Sequence, residues 1–222
     1  MSVILQKQSI LIQDLGLIDY SDAYKIQKQW VDKVINDHVP VLILCEHPAV
    51  LTLGRLASQE NFLISQEAIK EKGIAILDID RGGEITLHSP GQLVIYPILD
   101  LRNYGKDLKH YLHALEQVAI DLLTDFGILA DRFSGSARRT GVWVGPEKIV
   151  SMGIGVKKWV SFHGLAINVN TDLILFDLIK PCGMDVRMTS ISKIKNEKIS
   201  MEAVKERLIG RFCDHFQLKT KG

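Results

Sequence analysis

The sequence predicts a mixed α/β fold of the α+β kind, a largely antiparallel sheet with helices packed against it, and three observations carry that prediction. Short apolar runs rich in β-branched residues outnumber the amphipathic helical stretches. Three such runs, GVWV from Gly141, KIVSMGIGV from Lys148, and Ser161 to Val169, succeed one another across the turns Gly145-Pro146-Glu147 and Lys157-Lys158, the pattern of an antiparallel meander. No repeat period and no low-complexity linker divides the chain, so residues 1–222 are read as one domain.

Taken in order, Ser9 to Ile12 is a short apolar strand, followed by a helix with Ser21 as its expected N-cap and Ala23, Ile26, Trp30 and Val34 recurring at helical spacing. Past Pro40, VLILC is continuously apolar, as a strand buried on both faces must be. It ends at Glu46-His47-Pro48, where His47 reads as a structural histidine or a loop ligand. Ser65 to Lys72, with Gly73 as C-cap, forms a short helix that feeds the strand Ile74 to Ile79. The clearest helix is capped by Asp107 and stopped at Gly127, with Leu108, Tyr111, Leu112, Leu115, Val118, Ala119, Leu122 and Phe126 on its inner side. A last amphipathic helix begins at Ser200 and turns Val204, Leu208, Phe212 and Phe216 inward.

Composition narrows the function classes. With 46% hydrophobic and 24% charged residues the chain has the make-up of a globular protein able to bury a sizeable core. A formal charge of +1 argues against a protein built to hold nucleic acid. Cys45, Cys182 and Cys213 are odd in number and lack CxxC spacing, so neither a disulfide framework nor a zinc site is expected, and the compartment should be reducing. The N-terminus lacks a signal-peptide pattern and no apolar run approaches the ~18 residues of a membrane span, so a cytoplasmic protein with no membrane partner is expected. There is no GxxxxGK[ST] phosphate loop and no HExxH, so no cofactor and no metal is expected.

The chain is organised around RGGEITLHSPGQLVIY, residues 81–96. Its paired glycines allow close approach of backbone to a ligand, Pro90-Gly91 predicts a tight turn between two strands, and Thr86 and His88 share one strand face. Taken by itself this stretch reads equally as a solvated hairpin or as a binding motif. Cys182, between Pro181 and Gly183, interrupts a turn instead of filling a core, a setting that suits a nucleophile, whereas Cys45 and Cys213 read as small buried hydrophobes. A nucleophilic thiol needs a base or a nearby cation. Lys148, at the start of an apolar strand, is the candidate partner; by itself it would be an ordinary hairpin charge.

Together RGGEITLHSPGQLVIY (81–96), GVWVGPEKIVSMGIGV (141–156), FHGLAINV (162–169) and PCGM (181–184) resemble, in order and spacing, the lipoyl(octanoyl) transferase family. The resemblance runs from about Glu46 to Ser190. It implies a fold shared with biotin and lipoate protein ligases. It implies Cys182 as the acyl-thioester nucleophile and Lys148 as the residue that takes its proton or lowers its pKa. It also implies an acyl-binding wall made of Arg81, Gly82, Gly83, Glu84, Ile85, Thr86, Leu87 and His88, of Ser151, Met152 and Gly153, and of Gly164, Leu165 and Ala166. The implied donor is an octanoyl-acyl carrier protein. The implied acceptors are lipoyl domains of 2-oxoacid dehydrogenases and the glycine cleavage H protein. Leu87, Ser89 and Ile95 depart from the family pattern, and Leu87 and Ile95 are expected to limit acyl length. Arg132, Arg138, Arg139, Lys157 and Lys158 are expected to form a basic patch for the acidic carrier. His88 and His163 are possible orienting groups or second bases. The alternative is an ATP-dependent lipoate-protein ligase on the same scaffold, which activates its acid as an adenylate and needs no cysteine nucleophile.

Overall fold

A computed structural model of the chain describes residues 8–133, 140–181 and 186–221; Cys182, Arg138 and Arg139 lie outside them. The elements run β1 (Gln8–Leu17), α1 (Tyr20–Asp37), β2 (Val41–Glu46), β3 (Val50–Leu53), α2 (Gln66–Glu71), β4 (Ala75–Asp78), β5 (Ile85–His88) and β6 (Gln92–Ile98). They continue with α3 (Leu108–Asp125), β7 (Asp131–Arg132), β8 (Val142–Val144), β9 (Glu147–Lys157), β10 (Val160–Asn168), α4 (Ile191–Lys195), α5 (Met201–His215) and β11 (Leu218–Thr220).

Eight strands form one sheet in the order β11-β1-β2-β6-β10-β9-β8-β7, and β4-β3-β5 form a smaller second sheet. Pairing is parallel for β1 with β11 and β2 and for β3 with β4; the other pairs are antiparallel, so the sheets are mixed and largely antiparallel. The expected meander is β8-β9-β10. One expectation changes: β5 and β6 are not a hairpin. Gly91 at φ +82° turns the chain from the small sheet into the large one, with its amide on the Glu46 carboxylate at 2.7 Å and its carbonyl accepting from Asn170 N at 2.8 Å. A side chain at Gly91 would sit 2.6 Å from the Asn170 carbonyl oxygen.

The large sheet has a core on each face. Leu93, Ile95, Leu165 and Ile167 pack beneath α3 and α5 with Leu115, Leu122, Leu208 and Phe212. Val94, Tyr96, Phe162 and Ala166, the alternate residues of the same strands, pack against Ala23, Val31 and Val34 of α1. The small sheet has a third core, in which Leu51, Ile85 and Leu87 meet Ile69 of α2, Phe176, Ile179 and Met188. The run VLILC is buried on both faces, as its composition requires.

Two helix details differ from the sequence reading. Helix α1 begins one residue before Ser21: the amides of Asp22 and Ala23 bond the Asp19 carbonyl, which leaves the Ser21 hydroxyl no capping role. Leu108 is the first residue after the Asp107 cap, before the helix face has turned inward, and it is 41% exposed. The caps Asp107, Ser65 and Ser200 do accept from backbone amides of their first turns. Among the described residues no helix is long and apolar enough to cross a membrane.

Leu208→Ala should cost about 2–5 kcal/mol by loss of buried contact and a residual cavity, whereas Leu108→Ala should stay within about 0.5 kcal/mol. Urea unfolding curves of the two variants check this difference.

Candidate active site

The middle of β9 is where the motifs converge. Strand β8 is short and pairs with β9 only at 147–150, which leaves the β9 edge beyond residue 150 without a strand neighbour. The Arg81-Gly82-Gly83 turn takes that place: Gly82 N donates to Ile154 O at 2.9 Å. The approach is close enough that a Cβ on Gly153 would lie 2.9 Å from Gly82 O. The turn is held from its other side by β3 and the chain after it, with Gly54 N on Glu84 O, Leu56 N on Gly83 O and Arg55 N on Arg81 O at 3.0 to 3.1 Å. A Cβ at Gly54 would fall 2.3 Å from Gly83 O. Arg81 is buried and turns its guanidinium inward, donating to the carbonyl and hydroxyl oxygens of Thr52 at 2.7 and 3.0 Å. Asn61 donates to Glu84 at 3.2 Å.

Lys148 stands near the start of β9 with 1% exposure. Its amide donates to Arg187 O and its carbonyl accepts from Thr189 N, both at 2.9 Å, so the segment Arg187 to Thr189 is laid along it. The ammonium lies 5.5 Å from the centre of the Trp143 ring, its cross-strand partner. Gly141, at φ +131°, leaves room for it: a Cβ there would be 2.6 Å from Lys148 Cε. The Gly141 amide is tied to buried Glu116 at 3.0 Å, and Glu116 is paired with Arg132 at 3.1 Å.

A buried polar chain connects this corner to the central motif. His88 Nδ1–H donates to Gln92 Oε1 at 2.8 Å, Gln92 Nε2 donates to Asn168 Oδ1 at 2.9 Å, and Asn168 Nδ2 donates to Thr189 O at 3.0 Å. His88, Gln92, Asn168 and Thr189 are all at most 6% exposed. Burial, and after it the neighbouring His47, push the His88 imidazole well below its usual pKa, so it is neutral.

Beside it lies a cluster of rings beneath α1. His47 donates from Nδ1 to Ile18 O and accepts from the Tyr96 hydroxyl, each at 2.7 Å. Tyr20 stacks on His88 with centroids 5.6 Å apart. His163 occupies φ +56° within β10, a conformation that costs a non-glycine residue about 1–3 kcal/mol. Its amide is captured by buried Gln27 at 2.9 Å, and its ring links Asp80, through Nε2 at 3.1 Å, to the Tyr20 hydroxyl at 3.3 Å. Burial lowers His163 to about 4 despite the partly offsetting Asp80 carboxylate, so it too is neutral at pH 7. Among the described residues no group of three or more His, Cys, Asp or Glu is placed to hold a metal ion.

The structure thus lays Arg81 to Gly83 against β9 where Ser151 pairs with Ala166 and Gly153 with Gly164 of β10, with His88 linked to β10 through Gln92 and Asn168, while Thr86 pairs with Thr52 in the small sheet and Glu84 meets Asn61. Met152 and Leu165 are cross-strand partners that belong to the core under α3 and α5, on the other face, and offer only backbone to a wall. Ile85 and Leu87 face the small core, opposite Thr86 and His88. Ile95 faces the α3 and α5 core. Neither Leu87 nor Ile95, both at 0% exposure, lies on the expected acyl wall. Of the expected basic patch, Arg138 and Arg139 lie outside the described residues, and Arg132 and Lys157 are far apart. Arg132 pairs in register with Val142 and through it with Val150, so Lys157 is seven strand residues further on, about 23 Å at the usual rise. Arg132 is also tied to Glu116, and Lys157 to Asp32. Sequence reasoning passed over Tyr20, Tyr24, Gln27, Asp80, Glu116 and Asn168. Asp80, adjacent to Arg81, was the one with a positional signal.

The eight-stranded mixed sheet flanked by helices is the fold found in solved lipoate and biotin protein ligases. Solved structures with this fold include lipoate-protein ligase A bound with ATP, at a TM-score of 0.73 and 16% identity over 98% of this chain and 90% of that one. They also include the bipartite lipoate protein ligase of Thermoplasma acidophilum, at 0.72 and 17% over 97% and 86%, and the biotin protein ligase of Aquifex aeolicus, at 0.58 and 12% over 94% and 70%. The chain belongs to the lipoyl protein ligase A/B catalytic domain family, which it matches over residues 19–213. Its relatives include the octanoyltransferase of Caldicellulosiruptor saccharolyticus, 45% identical over 86% of this chain and 81% of that one, and the octanoyltransferase of Pelobacter propionicus, 41% identical over 91% and 93%.

The buried neutral histidines set an acid limit. An unfolded histidine takes up its proton near pH 6.5 and native His163 only near 4, so the unfolded state binds more protons between these values. Stability should therefore fall as pH drops from 6.5 to 4, by about 3 kcal/mol for this group alone. His47 and His88, both lowered by burial, act with the same sign. The Asp80 carboxylate, held below its usual range, withdraws its contribution only below that window. His163→Gln should flatten the slope of unfolding free energy against pH, measured by denaturant titration from pH 7 to 4.

Proposed function

We propose that the chain transfers an octanoyl or lipoyl group from acyl carrier protein to a lysine amine of lipoyl domains, through a thioester on Cys182, in a reducing cytoplasm. The chain is an acyltransferase of the octanoyltransferase group, as its relatives at 40–45% identity indicate. We read residues 1–222 as one catalytic domain. The observation that carries the reading is the placement of Lys148: a buried lysine bonded at both amide and carbonyl to Arg187 and Thr189, just downstream of Cys182 in the chain.

In the first half-reaction the Cys182 sulfur attacks the carrier thioester carbonyl, and the carrier thiol leaves with the proton surrendered by Cys182. In the second a lysine amine of the acceptor attacks the enzyme thioester, forming an amide and returning the Cys182 thiol. Lys148 assists by accepting the Cys182 proton, or as an ammonium that favours the thiolate. Backbone amides near Cys182 receive the oxyanion. The acyl tail lies along the stretch bordered by Arg81 to Gly83, His88, Ser151, Gly153, Gly164 and Ala166. Exchange of a thioester for an amide runs downhill and needs no nucleotide. An adenylate-forming ligase would need one, and the ligases of the same fold are only 16–17% identical, a likeness in fold alone. The acceptors that fit are lipoyl domains of 2-oxoacid dehydrogenases and the glycine cleavage H protein.

Incubation with an octanoyl-carrier thioester, without ATP, should add one octanoyl mass that maps to Cys182. Cys182→Ala should take up none while remaining folded by circular dichroism; an adduct that persists in that variant ends the covalent reading. Lys148→Ala should slow alkylation of Cys182 by iodoacetamide near pH 7. Lys148→Arg keeps a charge but not a base, so equal transfer by lysine and arginine forms leaves only the electrostatic role. Each buried methylene contributes about 0.8 kcal/mol, so an octanoyl donor should exceed a hexanoyl donor in kcat/KM by about fifteenfold. A flat profile from hexanoyl to dodecanoyl thioesters would mean that the tail stays in water.

A further inference from the structure

Asp80 is the residue just before the glycine turn, and three elements converge on its side chain. Oδ1 accepts from the Tyr24 hydroxyl and from His163 Nε2–H, the latter at 3.1 Å, and Oδ2 accepts from Lys28 Nζ at 2.7 Å. Tyr24 and Lys28 are on α1, and His163 is on β10. The backbone is gripped as well, since Arg55 donates to Asp80 O at 3.0 Å. Tyr24 stacks on His163 at 5.4 Å between centroids and 8° between planes, so two of the three donors also brace each other.

His163 reaches Asp80 only because of its left-handed φ of +56° in mid-strand, a geometry secured by Gln27. A strand residue in its ordinary conformation would put this ring elsewhere, so the strain is kept for the contact. From the same imidazole, Nδ1 receives the Tyr20 hydroxyl, and Tyr20 stacks on His88. Both ends of the central motif are therefore referred to one carboxylate: Arg81 is its chain neighbour, and His88 is reached through His163 and Tyr20.

We propose that Asp80 is a positioning residue for the acyl wall: gripped by Tyr24, Lys28 and His163, it holds the Arg81-Gly82-Gly83 turn and, through Tyr20, His88 at the spacing an acyl chain requires. The proposal rests on the acyl-transfer reading and adds to it a residue that touches neither substrate nor Cys182. Chain-length discrimination depends on Asp80, and thiol activation does not.

The test compares Asp80→Ala, Asp80→Asn and the native protein for kcat and KM with octanoyl and hexanoyl carrier thioesters, and for the rate of Cys182 alkylation by iodoacetamide. In Asp80→Ala the octanoyl preference should shrink at least about threefold, through a raised KM for the octanoyl donor, with the alkylation rate within about twofold of native. Asp80→Asn still accepts from Tyr24 and His163 but loses the charge facing Lys28, so it should retain more of the preference than Asp80→Ala. A purely structural aspartate would lower Tm and leave the octanoyl to hexanoyl ratio untouched, and that result overturns the proposal. So does a parallel fall in alkylation rate and kcat with the ratio preserved. If Asp80→Ala fails to fold, Tyr24→Phe removes one donor alone and should weaken the preference to a lesser degree; an unchanged ratio in that variant overturns the role. A flat native profile removes the acyl wall and this proposal with it, a steep native profile that survives in the variants ends this proposal alone, and only failure of the native protein to form the Cys182 adduct ends the acyl-transfer reading.

Discussion

The amide of Gly82 donating to the carbonyl of Ile154 is the contact on which the rest of the site depends. It exists because β8 stops short and leaves a strand edge with unmet hydrogen-bonding groups, which a protein must pair or cover. Here the edge is covered by a turn instead of another strand, and the turn can come so near only because Gly54 and Gly153 carry no side chains to collide and Gly83 takes up a φ of +87°. The contact joins the small sheet to the large one. It leaves the middle of β9, from Ser151 to Ile154, only half-buried.

Around that contact the polar groups form closed networks rather than isolated pairs. One runs from His88 through Gln92 and Asn168 to Thr189, and the other from Asp80 through His163 to Tyr20. Linked buried polar groups of this kind hold their surroundings in one arrangement. Both end at the same motif. That convergence gives the central strand a rigid frame in which the imidazoles of His88 and His163 are kept neutral by burial.

Family likeness and geometry contribute different things. The relatives named octanoyltransferase share two-fifths or more of the matched residues across most of the chain, which assigns the family. The ligases of known structure share the fold at identities too low to say more. What the structure adds locally is the buried Lys148 near the start of β9.

The sequence alone determined the element types, the meander and the central motif, because apolar period, caps and turn residues are local signals: VLILC reads as a doubly buried strand, and Asp107 and Ser200 cap their helices. It also placed Thr86 and His88 on one face, since alternation along a strand is a property of the backbone. It misread Leu108 because periodicity does not say where within its first turn a helix meets the core. It placed Leu87 and Ile95 on the acyl wall for want of knowing which face of each strand met which core, a matter of sheet pairing across more than a hundred residues. The joining of Pro90-Gly91 to two different sheets, the left-handed turn of His163 and the grip on Asp80 were decided by tertiary structure only. Each depends on partners distant in sequence, α1, β9 and β10, and no local signal encodes a contact whose two halves lie on separate elements.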